Sequence, residues 1–128
     1  MTAGLTAILV CLTGGIGAAL RLIIDSLIRT RLKSSYPVGT TVINLTGSLL
    51  LGLITGLRAG HVLPEPWQLI IGTGLLGGYT TFSAASFETI RLLEDHRYVA
   101  AALNGLGMLI GCTAAALLGY AVALSITG

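Results

Sequence analysis

The sequence predicts an all-α membrane protein of four transmembrane helices, the third broken near Gly77–Thr81, in a single domain over residues 1–128. Three observations carry this. First, 54% of the 128 residues are hydrophobic and 9% are charged, against about 25% charged in soluble domains. Second, Met1–Leu20, Ser34–Leu57, Pro66–Phe87 and Tyr98–Gly128 are free of charge, and each reaches the roughly 20 residues that cross a hydrocarbon core. Third, the third run carries Gly74, Gly77, Gly78, Thr80 and Thr81 ahead of Phe82. Glycine and β-branched threonine support a regular helix poorly. Backbone groups freed at membrane depth are tolerated only where they are buried in protein, line a cavity or hold an ion. The glycines alone read as close-packing positions. The whole run, with its hydroxyls and the phenylalanine after it, reads as a site wrapped by the other segments.

Composition narrows the function. A net charge of +2 and 5% aromatic residues offer neither the charge nor the stacking platform that nucleic acid needs. Cys11 and Cys112 lie in apolar runs and read as reduced small hydrophobes, with no histidine at zinc-ligand spacing. No nucleophile–base constellation marks an enzyme. The N-terminus lacks the basic start of a signal peptide.

The first helix is expected over Gly4–Ile28, with small residues at Gly14, Gly15, Gly17, Ala18 and Ala19 for close approach to a neighbour. Arg21 and Asp25, four apart, are spaced to pair; Arg21 snorkelling to the interface is the alternative. After a basic loop at Arg29–Tyr36, the second helix carries Thr40, Asn44 and Ser48 at four-residue spacing, a polar stripe on an apolar rod. In lipid such a stripe either bonds a neighbouring helix or lines an aqueous path. Ser48, Gly52 and Gly56 continue it as a packing stripe. Pro64 and Pro66 close a loop containing His61, and Trp67 suits an interfacial anchor. The third segment runs from Trp67 to Leu93, with Glu88 placed to cap, pair with a basic residue or sit at the interface. The fourth helix, Val99–Ile126, carries Asn104, Met108 and Cys112 on one face and a Gly107/Gly111 packing pair.

Three motifs together resemble the Fluc (CrcB-type) fluoride channels: Gly17-Ala18-Ala19-Leu20-Arg21, Gly39-Thr40 with Asn44-Leu45, and Gly77-Gly78-Tyr79-Thr80-Thr81-Phe82-Ser83. The resemblance covers nearly the whole chain and implies an antiparallel dimer of four-helix subunits with paired fluoride pathways. It implies a structural sodium ion at the dimer interface, held by the backbone carbonyls of Gly77 and Thr80. It makes Phe82 a pore phenylalanine, puts Asn44 and Thr40 in the polar lining, and matches Arg21 to the family's first-helix arginine. Thr81, Ser83 and Asn104 complete the expected fluoride pathway. These residue types suit the ion. Fluoride must exchange its water for hydrogen-bond donors, and an aromatic ring is positive at its edge.

The chain departs from the family pattern in two places. A second phenylalanine is usual three residues after the first, where this chain has Ala85. Phe87 is a poor substitute, because five residues turn a helix about 500° and three about 300°. Met108 and Cys112 replace hydroxyls on the fourth helix. Lysines and arginines are also lopsided: Arg29, Arg31, Lys33, Arg91 and Arg97 belong to one side and Arg58 to the other. Positive residues stay cytoplasmic, so both termini are expected outside the plasma or inner membrane. A self-pairing antiparallel dimer needs balanced charge. The bias therefore points to one half of a heterodimer, its partner a second four-helix subunit. The alternatives are a homodimeric fluoride channel, a non-conducting membrane assembly subunit, and a small multidrug-exporter-like transporter. The last needs a membrane-embedded carboxylate in the first helix, but Met1–Ile24 contains none and Asp25 lies too near the basic loop.

Overall fold

The computed structural model describes all of residues 1–128 and is entirely helical. We number the helices α1 (Ala3–Leu32), α2 (Val38–Ala59), α3 (residues 65–79), α4 (Phe82–Glu94) and α5 (Tyr98–Thr127). By length and composition α1, α2 and α5 could each cross a membrane. Only 19 of the 128 residues are buried, and leucines, isoleucines and valines cover much of the outside. On a water-facing protein so large an apolar surface would be anomalous; toward lipid it is the favourable arrangement.

The expected break is present and is narrower than the sequence suggested. Gly77–Tyr79 remain helical, and the chain leaves the helix only at Thr80 (φ −76°, ψ 159°) and Thr81 (φ −147°, ψ 119°). Upstream, Leu69–Leu76 winds as a π-helix, and a second π-helical stretch, Leu103–Gly107, surrounds Asn104 in α5. Such wide turns are frequent at functional positions.

None of the 18 glycines has a positive φ, so none is required for a left-handed turn, and several serve close approach. α1 lies against α3, and α2 packs along α5. A Cβ on Gly17 would overlap the Leu75 carbonyl oxygen, one on Gly78 the Gly14 carbonyl, and one on Gly52 the Ala116 carbonyl. Gly56 meets Tyr120 and Ala123 in the same way. Gly52 and Gly56 are thus the packing positions expected of them. Of the expected Gly107/Gly111 pair only Gly111 packs, a Cβ there meeting Leu45 Cδ2 at 3.1 Å; Gly107 is exposed and meets only its own helix's Leu103, and the tightest backbone contact of α5 is made by Gly119 on the Leu49 carbonyl.

The Arg21–Asp25 pair does not form. Asp25 Oδ2 instead accepts from Arg29 Nε at 2.8 Å. Both spacings are i,i+4, but only Asp25–Arg29 has the acid N-terminal to the base, the better orientation on a helix. This pair lies in the last two turns of α1, which continues to Leu32, a turn beyond the expected end.

Candidate functional site

The break is held by one side chain from α2. Asn44 Oδ1 accepts the Thr81 N–H at 2.8 Å, and Asn44 Nδ2 donates to the Thr81 carbonyl at 2.8 Å. In a continuous helix the Thr81 N–H would go to the Gly77 carbonyl. Asn44 is 8% exposed and Thr81 9%, so without the clasp two buried backbone groups would lack partners. The Thr81 hydroxyl then caps α4 by accepting the Ala84 N–H at 3.2 Å. From the other side Arg21 Nη1 donates to the Thr80 carbonyl at 3.4 Å.

Beside the break lies a cavity of about 300 Å³ between α2, α4 and α5. Asn44, Thr81, Phe82 and Asn104, all named from sequence, line it, and so does Thr80. Phe82 is 87% exposed on the protomer and is the first residue of α4, whose positive N-terminal end therefore lies at the cavity. Ala85 faces the same cavity and Phe87 does not, as the helical angles require. Phe87 lines a separate groove with Thr40, Ser83, Arg21, Asp25 and Arg29. The polar stripe of α2 is therefore divided. Four residues advance a helix by about 400°, so the stripe drifts by about 40° per step. Thr40, two steps from Ser48, falls on the far side of Thr81. There its hydroxyl donates to Glu88 Oε1 at 2.8 Å, and Arg29 Nη2 reaches the same oxygen at 3.2 Å. Glu88 is thus the pairing residue among its expected roles.

Several cavity residues were not singled out from sequence. Ser86 and Thr89 line the wall with Phe82 and Ala85. Their i, i+3, i+4, i+7 spacing was the available signal. Ser48, read both as the end of the polar stripe and as the start of a packing stripe, faces the cavity. Met108 does more than fill space: its Sδ accepts from Asn44 Nδ2 at 3.2 Å. Asn104 is fully buried and donates to the Ala85 carbonyl at 3.1 Å and to Thr89 Oγ1 at 2.9 Å.

The Gly77 and Thr80 carbonyls are hard oxygen donors, the type that suits a hard cation. Gly77 is exposed, and a Cβ there would meet nothing nearer than the Gly72 carbonyl at 3.9 Å. The Arg21 guanidinium, already on the Thr80 carbonyl, is the feature that opposes a cation.

Known proteins are similar to this chain over most of its length. The family described as CrcB-like protein, Camphor Resistance (CrcB), matches residues 8–120. A protein of Leifsonia xyli subsp. xyli named Fluoride-specific ion channel FluC 1 is 50% identical over 115 residues, 90% of this chain and 84% of that one. Fluoride-specific ion channel FluC 2 of Cutibacterium acnes is 46% identical over 123 residues, covering 92% and 97%. Fluoride-specific ion channel FluC 3 of Bifidobacterium longum is 46% identical over 95 residues, covering 74% and 78%. The matched residues include the whole of the clasp, the break and the cavity wall, and by this measure the chain belongs to the CrcB-like family.

Proposed function

We propose that this chain is a subunit of a fluoride channel that lets cytoplasmic fluoride leave passively across the cell membrane. The observation that carries the reading is Phe82, an exposed aromatic residue directly after a clasped helix break and on the wall of a mainly apolar cavity into which amide and hydroxyl side chains are set. The names of the relatives support it. An aromatic edge and the positive end of α4 favour an anion without a full charge, and conduction requires binding weak enough for release. In this reading residues 65–79 and α4 together make a fourth crossing, with the break within the bilayer. Arg21 acts as a structural charge on the Thr80 carbonyl. Reconstituted protein should release fluoride from liposomes, and absence of release both alone and with a partner subunit would overturn the reading.

The finer assembly is also part of the proposal. The pathway is completed in an antiparallel dimer with a second four-helix subunit. Arg97 Nη1 donates to the Ser35 carbonyl at 2.9 Å, which supports grouping the two basic connections at one end. Arg58 pairs with Glu65 at 3.6 Å in the remaining connection. The basic end is then cytoplasmic and both termini are outside. A single preferred orientation favours a heterodimer over a homodimer. Tagging the termini tests this: labelling only from outside fits a fixed orientation, and labelling from both sides with flux from the lone chain fits a homodimer.

A structural sodium ion at the dimer interface is the last element. The Gly77 and Thr80 carbonyls would hold it, two from each subunit if the partner supplies the same pair. A carbonyl has two lone pairs, so Thr80 can serve Arg21 and the cation together. Replacing sodium by a large organic cation should weaken the dimer; equal stability in both would argue against the ion.

A further inference from the structure

An anion entering the cavity beside Phe82 needs donors that are free to turn toward it, and few of the polar side chains there have one. Ser86 donates to the Phe82 carbonyl at 2.9 Å, Thr89 to the Ala85 carbonyl at 2.8 Å, and Thr80 to the Leu76 carbonyl at 3.0 Å. Asn104 commits both N–H groups, to Ala85 and Thr89, and leaves only a buried, unpartnered Oδ1, an acceptor. The Thr81 hydroxyl accepts from Ala84 and otherwise contacts Ser83 Oγ at 3.4 Å. One Asn44 N–H is fixed on the Thr81 carbonyl.

Besides the weak Cys112 thiol and the Thr81 hydroxyl, which has Ser83 Oγ as a neighbour at 3.4 Å, two donors are left. Ser48 lines the cavity, and its hydroxyl makes no hydrogen bond within the protein. Thr41, Thr46, Thr55 and Thr113 all turn back onto the carbonyl four residues earlier; Ser48 does not. The second donor is the other Asn44 N–H, held only by the Met108 thioether at 3.2 Å, a weak acceptor that a fluoride ion would displace. Asn44 and Ser48 are one helical turn apart on α2, on the same wall.

We infer that Ser48 is the hydroxyl that binds the permeating anion in this cavity, together with the Asn44 N–H that Met108 holds in reserve. The inference rests on the fluoride-channel reading and adds its anion-contacting pair. It also accounts for a family member that has lost hydroxyls at Met108 and Cys112: the donor is supplied from α2 instead of α5.

The test is fluoride efflux from liposomes carrying the intact channel, with Ser48→Ala, Ser48→Thr and Ser48→Cys. A hydrogen bond to an ion outweighs a neutral one, so Ser48→Ala should slow efflux by about tenfold. Ser48→Cys, close in volume and a weaker donor, should fall between Ser48→Ala and the parent, and Ser48→Thr, whose hydroxyl turns back onto the Asn44 carbonyl as the neighbouring threonines do, should also lose flux. Comparable yield and dimer size for Ser48→Ala exclude misfolding, and the graded loss in Ser48→Cys separates a donor role from simple volume. Parent-like flux in Ser48→Ala, or less flux in Ser48→Cys than in Ser48→Ala, overturns the inference and leaves the channel reading standing. A parent protein with no fluoride flux overturns both.

Discussion

Asn44 holds the backbone of Thr81 from both sides, its Oδ1 on the Thr81 N–H and its Nδ2 on the Thr81 carbonyl, each at 2.8 Å. The extended backbone at Thr80–Thr81 therefore depends on a residue of another helix. Asn44→Ala should destabilise the protein by about 2–6 kcal/mol, because two buried backbone groups lose partners at about 1–3 kcal/mol each. Asn44→Asp keeps the acceptor but sets a carboxylate against the Thr81 carbonyl, and should be at least as damaging. Thermal unfolding in detergent measures both. Parent-like stability in Asn44→Ala would show that the break holds itself.

Glycine substitutions should separate by position. Gly17→Ala and Gly78→Ala drive a methyl into the Leu75 and Gly14 carbonyls across the α1–α3 contact, and overpacking of this kind costs about 1–3 kcal/mol or more. Gly107→Ala makes only ordinary contact with Leu103 of its own helix and should be neutral or gain up to about 1 kcal/mol from helix propensity. The yield and melting temperature of purified protein check the order. Sensitivity at Gly107 would place an unseen partner on that face.

Much of this was legible beforehand, and the failures have particular causes. The charge-free runs mark the helices, and the Gly–Thr cluster marks the break, because both follow from local composition. The division of the α2 stripe was not legible. Thr40 and Asn44 share a helical face, and only the position of Thr81 between them sends one to Glu88 and the other to the cavity. Asp25 had two arginines at equal spacing, and the orientation preference that selects Arg29 is worth only a few tenths of a kcal/mol. Met108 as the acceptor for Asn44 joins residues 64 positions apart, which periodicity cannot reveal.

Phe82→Ala should cut fluoride efflux by up to about tenfold, the equivalent of a full aromatic contact of about 1.5 kcal/mol. Ala85→Phe adds a ring on the same wall and should raise flux above the parent. Unchanged flux in Phe82→Ala would reduce Phe82 to a packing residue.

Cys112 lines the cavity and Cys11 lies exposed on α1. A bulky thiol reagent should therefore inhibit efflux through Cys112. Inhibition should vanish in Cys112→Ala and persist in Cys11→Ala. The reverse pattern would move the pathway to the α1 surface.

The most direct measurement is ion-selective efflux from liposomes containing this chain, alone and with its partner subunit. Fluoride should leave down its own gradient, without a proton or drug gradient, while chloride stays trapped. Chloride leaving as fast as fluoride, or neither ion leaving in either preparation, would contradict the account.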